Sequence, residues 1–246
     1  MKAEEIAYPP LDTPKPVAEN LWIVDSGPIK VMGLLPLPIR MTVIRLSGGG
    51  LLLHSPTPFR FALKQELDAL GRVEHLVAPN SAHWTFVKEW QSHLPDALTW
   101  AAPGLRDRAP VRKSGVRLDR DLGEAAPEAW AGEIEQVVVP GGGGFAELAF
   151  FHKPTRSLVL TDLVLNLEPR KLPLAMRPLA YVTGITAPGG RAPIYLRKIV
   201  RAEGERARAA ARRLVALGPE RVIFTHGKWF EQDGAARLRR SLSWLL

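Results

Sequence analysis

The chain has 246 residues and a mass of 27.1 kDa, enough to bury one large core or two small ones. It contains no cysteine, which excludes disulfides, a thiolate nucleophile and thiolate-held zinc or iron–sulfur centres, and leaves His, Asp, Glu and Asn as the only metal donors. A formal charge of +8 and a pI near 10.0 raise the question of nucleic acid.

From the N-terminus, Met1-Lys2-Ala3-Glu4-Glu5 carries acids where a secretory leader needs bases, and a cytoplasmic location is expected. The Pro-rich residues 1–20 read as an N-terminal extension wrapping over the surface of a single domain spanning 1–246. Leu21–Asp25 predicts a first strand. The apolar stretch Val31–Ile39 is too short to span a bilayer and is broken by Pro36 and Pro38, so no membrane association is expected. Met41–Leu46 and Leu51–Leu53, joined by Ser47-Gly48-Gly49-Gly50, predict a hairpin whose glycines supply positive φ. Phe61–Leu70 predicts a helix, Val73–Ala78 a strand, His83–His93 a helix ended by Pro95, and Leu98–Ala101 a short strand. Residues 105–133 are charged and show no clear period. Ile134–Val139 runs as a strand into Gly141–Gly144, and Glu147–Phe151 with Ser157–Thr161 predicts a second hairpin. Residues 166–194 read as a long Pro- and Gly-rich loop. A basic helix, a strand Arg221–Thr225 and a final helix from Gln232 to Leu246 complete the chain. Hairpins alternating with helix–strand units predict an α/β (α+β) fold of two mixed sheets covered by helices.

Arg197–Arg213 holds seven bases (Arg197, Lys198, Arg201, Arg206, Arg208, Arg212, Arg213) against Glu203 and Glu205, so 7 − 2 leaves a net of +5. Ala207, Ala210, Ala211, Leu214 and Val215 share one face of this helix, and Gly218-Pro219 ends it. The bases therefore read as a solvated face, and with no aromatic residue between them nucleic-acid binding is not expected.

Three apolar runs end on side chains able to bind metal or move protons. Leu76-Val77-Ala78 precedes Asn80 and His83, Leu158-Val159-Leu160 precedes Asp162, and Val222-Ile223-Phe224 precedes His226. In helix-covered sheets the chemistry gathers outside the carboxyl ends of strands, so these segments are expected to share one pocket. His54 ends another strand and is taken as a further pocket residue, with a hydrogen-bonded core histidine as the alternative. His152 reads as a surface residue, and His75 and His93 have no evident partner. The four-glycine run lacks the ending of a phosphate loop and reads as a turn. Ser55 and Ser81 have no nucleophile-elbow context. Trp84, Trp90 and Trp130 read as packing residues.

Arg40-Met41-Thr42-Val43-Ile44-Arg45-Leu46, Leu53-His54-Ser55-Pro56, Val77-Ala78-Pro79-Asn80 with His83, Phe150-Phe151-His152, Thr161-Asp162-Leu163 with Asn166, and Thr225-His226-Gly227 together resemble the metallo-β-lactamase-like superfamily. Within it they resemble a bacterial family known as domain of unknown function 4336. The resemblance runs from Leu21 onward and implies a four-layer αββα sandwich. The superfamily's His-x-His-x-Asp-His cluster, which holds two metal ions, is replaced by Ala78-Pro79-Asn80-Ser81-Ala82-His83. His83 then stands at the last histidine of that cluster, or at its Asp if the register shifts by one. Gly141–Gly144 stands where a further ligand histidine is expected. Asp162 resembles the bridging carboxylate and His226 the last histidine ligand, so about half of a two-metal site remains.

His83, Asp162 and His226 would give two nitrogens and an oxygen for one zinc or iron ion, a ligand set that leaves a coordination position open. The other reading is a hydrogen-bonded Asp–His pair without a metal. Two function classes stay open. One is a metal-dependent hydrolase of a small ester, thioester, lactone or phosphate in which Asp162 and His226 serve catalysis. The other is an inert relative that binds a small anion or a protein partner through the same pocket.

Overall fold

The computed structural model describes residues 3–31 and 35–246. Met1 and Lys2 lie outside the described residues, as do Met32, Gly33 and Leu34 in the middle of the apolar stretch Val31–Ile39. The first sheet begins with helix α1 (Ala3–Ile6) and strands β1 (Lys15–Ala18), β2 (Leu21–Val31), β3 (Leu35–Arg45) and β4 (Leu51–His54). Helix α2 (Phe61–Asp68), strand β5 (Val73–Ala78), helix α3 (Val87–His93), strand β6 (Leu98–Ala101), helix α4 (Ala109–Ser114) and strand β7 (Arg120–Asp121) complete it. The seven strands run in sequence order across the sheet, antiparallel from β1 to β4 and parallel from β4 to β7.

Strands β8 (Ile134–Gly141), β9 (Phe145–His152) and β10 (Ser157–Val159) form the second sheet with β12, which returns later. Strand β11 (Leu165–Asn166) and helices α5 (Arg177–Thr183), α6 (Ile194–Arg201) and α7 (Glu205–Ala216) lead to β12 (Arg221–Ile223), β13 (His226–Gly227) and α8 (Gly234–Ser241). β12 pairs parallel to β10, whereas β10, β9 and β8 pair antiparallel. Both sheets are mixed.

Period-2 alternation sorts the strand side chains into three large cores, beside a smaller fourth that gathers Leu37, Leu165 and Leu167. Leu51, Leu53 and Met41 pack against Leu63, Leu67 and Trp90 of α2 and α3. Leu52, Ile44 and Val77 face Phe150, Val159 and Ile223 of the other sheet. Ala149, Phe151 and Leu158 pack against Leu196, Ala207, Leu214 and Leu238 of α6, α7 and α8. Helices, sheet, sheet and helices thus form the four layers of an αββα sandwich. No helix among the described residues is long and apolar enough to cross a membrane.

Several sequence expectations change. The Pro-rich start, expected only to wrap the surface, supplies β1 to the sheet edge. The helix expected from His83 starts at Val87, because Ser81 to Phe86 form bends and turns. The basic segment is two helices, broken at Gly204 with φ +56. The segment 166–194 carries β11, two 3₁₀ turns and α5 instead of being loop throughout.

Candidate metal centre

β10 and β12 lie side by side and parallel, so the segments leaving their carboxyl ends emerge together. The first delivers Asp162, and the second delivers His226 at the start of β13. Leu165 pairs in register with His226, which ties the two segments again. His83 comes from the loop after β5 in the other sheet, and the Leu148 amide of β9 donates to the Pro79 carbonyl (2.8 Å) to hold that loop against the second sheet. Residues separated by up to 143 positions (226 − 83) therefore meet where the two sheets adjoin.

His83 Nε2 lies 3.3 Å from Asp162 Oδ2, and His226 Nε2 lies 3.4 Å from Asp162 Oδ1. One donor atom from each of the three residues falls within 4.8 Å of the others. Two donors about 2.0–2.1 Å from a tetrahedral zinc stand about 3.3–3.4 Å apart, so each His–Asp separation taken singly matches a ligand pair on one ion, the two imidazoles facing opposite oxygens of the carboxylate. The far ring nitrogens are anchored. His226 Nδ1 is 2.8 Å from the Pro38 carbonyl, which can only accept, so Nδ1 carries the proton and neutral His226 presents an unprotonated Nε2 to the site. His83 Nδ1 is 2.7 Å from Ser55 Oγ. A lone pair on Nε2 facing a carboxylate calls for a cation between them or a proton on the ring. The residues present fit a single divalent ion.

Asn80 orients the carboxylate: its Nδ2 donates to Asp162 Oδ2 (2.7 Å) and Thr161 Oγ1 (2.9 Å). Its Oδ1 accepts from the amides of Ala82 (2.8 Å) and His83 (3.0 Å), shaping the loop that carries the imidazole. Glu147, 0% exposed on β9, lies beneath. It accepts from the amides of Thr161 (2.7 Å), Asp162 (2.9 Å) and Leu163 (3.2 Å) and so fixes the turn bearing Asp162. Burial and the Asp162 charge push Glu147 up to about 7, against the pull of the Thr161 and Asp162 amides. Burial alone would raise Asp162, but His83 and His226 hold it well below the usual carboxylate range. Burial pulls His83 down, yet Asp162 and Glu147 outweigh it and leave His83 raised. An ionised Asp162 suits a cation, whereas a raised His83 favours its protonated form and must give up that proton before its Nε2 can bind an ion.

Arg40 fixes the His226 segment from below. Its Nη1 donates to the carbonyls of Phe224 (2.8 Å) and Gly227 (2.9 Å), and Nη2 pairs with Asp25 Oδ1 at 2.6 Å. Gly227 has φ +96, and a Cβ there would sit 2.2 Å from the Asn166 carbonyl oxygen, so only glycine allows β13 to lie this close to β11.

A cavity of about 240 Å³ opens onto His83, Asp162 and His226. Asn80 and His54, read from sequence as pocket residues, are not in its wall. Asn80 is buried behind Asp162, where it acts through the carboxylate. His54 points between the sheets, with its ring centroid 5.2 Å from that of Phe150. His152, expected at the surface, is buried with Nδ1 2.8 Å from Thr155 Oγ1. His75 accepts from Trp100 Nε1 (3.2 Å), and His93 stacks on Phe59. Arg40 and Glu147 escaped the sequence reading. Their one local signal is a lone charge inside an apolar run, Leu37-Pro38-Ile39-Arg40-Met41 and Phe145-Ala146-Glu147-Leu148-Ala149.

The family model for the domain of unknown function (DUF4336) matches residues 19–186. No curated protein sequence matches the chain. Among solved structures, the DIM-1 metallo-β-lactamase exposed to ceftazidime is 15% identical, with a TM-score of 0.66 over 94% of this chain and 95% of its own. The metallo-β-lactamase FIM-1 from Pseudomonas aeruginosa, in its mono-zinc form, is 12% identical, with a TM-score of 0.63 over 95% and 94%. A metallo-β-lactamase from Hirschia baltica is 13% identical, with a TM-score of 0.61 over 94% and 96%. At these identities the likeness establishes the fold alone.

Proposed function

The chain belongs to the family of the domain of unknown function (DUF4336) and is folded as metallo-β-lactamases are, and we propose that it is a mononuclear metal-dependent hydrolase of a small ester, thioester, lactone or phosphate. The observation that carries this reading is the convergence of two imidazole Nε2 atoms and one carboxylate at separations suited to a single ion. The mono-zinc form of FIM-1 supports it by showing that one neighbour of this fold holds a single zinc. His83, Asp162 and His226 would hold the ion, zinc or iron, and leave a coordination position open toward the cavity. When bound, such an ion supplies Lewis acidity and activates water for attack on an acyl or phosphoryl centre. The chain's own residues do the positioning. Pro38 and Ser55 aim the two imidazoles, Asn80 and Glu147 hold the carboxylate, and the apolar wall excludes bulk water.

The same separations also suit a protonated imidazole against Asp162 with no ion, which supports the second reading, a binding pocket without hydrolysis. Elemental analysis of freshly purified protein and zinc titration of chelator-treated protein separate the two. About one zinc or iron per chain, lost in Asp162→Ala, is expected; protein that binds neither metal refutes the hydrolase reading.

A further inference from the structure

The cavity beside the metal centre is walled by Ile29, Leu37, Ile39, Phe86, Leu165 and Ile185. Three of its polar wall residues, His83, Asp162 and His226, meet at one place, and the others are Arg40 and the hydroxyl-bearing Ser55, Thr57, Thr85 and Tyr195. Arg40 is the one lysine or arginine among the described wall residues, and it is 2% exposed and committed to Asp25 and two carbonyls. A distal carboxylate would therefore lose its hydration shell in an apolar chamber without gaining a cationic partner. A phosphoryl group, whose equatorial oxygens need several cations or donors, would find no free cation among the described wall residues, only the neutral hydroxyls of Ser55, Thr57, Thr85 and Tyr195 beyond the centre itself. The segment supplying Ile185 and Tyr195 to the wall also carries the exposed side chains of Leu174, Leu179, Tyr181, Val182, Ile194 and Tyr195, the last 65% exposed. At about 240 Å³ the chamber falls just below the roughly 300–1,000 Å³ of drug-sized ligand sites, which limits the guest to a short chain.

We infer that this site takes a small uncharged acyl compound, an ester, thioester or lactone, whose apolar arm fills the chamber while its carbonyl lies at the His83–Asp162–His226 end. The assignment rests on the metal-centre reading for its chemistry, but the selectivity of the chamber is measurable without metal or turnover. Propanamide, hexanamide, hexanoate and hexyl phosphate are titrated into chelator-treated full-length protein and followed by NMR shift changes of the wall methyl groups. Hexanamide should bind at least ten-fold tighter than hexanoate or hexyl phosphate, and tighter than propanamide by about four-fold per added methylene while the chamber has room. Tyr195→Glu, at an exposed rim position that folding tolerates, should weaken hexanamide less than ten-fold while making the two anions still poorer ligands. Hexanoate or hexyl phosphate binding as tightly as hexanamide, or hexanamide binding no tighter than propanamide, overturns the inference. Zinc titration of the same samples reports separately on the metal-centre reading, so hexanamide selectivity without zinc binding refutes that reading and leaves the chamber's preference standing.

Discussion

Arg40→Met removes a guanidinium that joins the first sheet to the segment carrying His226. Arg40 and Asp25 are 2% and 1% exposed, and their 2.6 Å contact is a buried ion pair. Breaking such a pair from one side costs about 3–5 kcal/mol, because the remaining charge stays buried. Asp25 keeps Lys15 at 2.5 Å, a partner 21% exposed, which moves the expected cost toward the lower end. The Phe224 and Gly227 carbonyls lose their donor too, at about 1–3 kcal/mol for an unsatisfied buried acceptor, a cost that overlaps the first. A loss of about 3–4 kcal/mol is expected. With an m-value near the upper end of about 1–3 kcal/mol/M, the urea midpoint should fall by about 1–1.5 M. Tryptophan fluorescence in urea with chelator present measures this without the stabilisation that bound metal adds. The double variant Arg40→Met/Asp25→Asn should recover part of the loss, since the stranded charge is gone. A single-variant loss below about 1 kcal/mol, or strict additivity in the double variant, would refute the reasoning.

Asn80→Ala should weaken zinc binding by about 10- to 100-fold, the usual cost of losing a group that orients a ligand, with the fold intact by circular dichroism; unchanged affinity in a zinc competition titration would count against its role. His54 is fully buried with its ring nitrogens unpaired, and burial, outweighing a weaker pull from the Leu148 backbone, lowers it to about 3. Because the folded pKa lies below the unfolded value of 6.5, the unfolded state binds the proton first, so stability is full above 6.5 and falls as pH drops from there toward 3. His54→Leu should flatten this acid limb by a few kcal/mol, at about 1.4 kcal/mol per pH unit of separation, in urea midpoints measured between pH 7 and 4. Duplex DNA binding should be weak and vanish by physiological salt, because Arg206, Arg212 and Arg213 pair with Glu203, Glu205 and Glu135, and Arg201 donates to the Trp244 carbonyl; submicromolar binding at 150 mM salt by fluorescence anisotropy would contradict this.

Much of the layer structure was legible along the chain. Strands such as Val73–Ala78 and Leu98–Ala101 stand as the local pattern predicts, because runs of branched apolar residues between turn signals have few other ways to bury themselves. The segments ending in His83, Asp162 and His226 announced themselves as polar groups at the ends of such runs. Local signal also misled. Arg197–Arg213 reads as one amphipathic helix, yet Gly204 turns the chain so that α6 and α7 each lay an apolar face on the second sheet. What holds the centre together came only with tertiary structure. Arg40 meets the Phe224 carbonyl across 184 positions, and Pro38 meets His226 across 188. Glu147 stands on a strand face otherwise given to Ala149 and Phe151, and becomes a clamp only because the Thr161–Leu163 turn folds back over it. Backbone groups far along the chain leave no mark on local periodicity. Composition and spacing determine which side chains reach the strand ends, whereas the packing of two sheets determines which distant carbonyls and amides aim them.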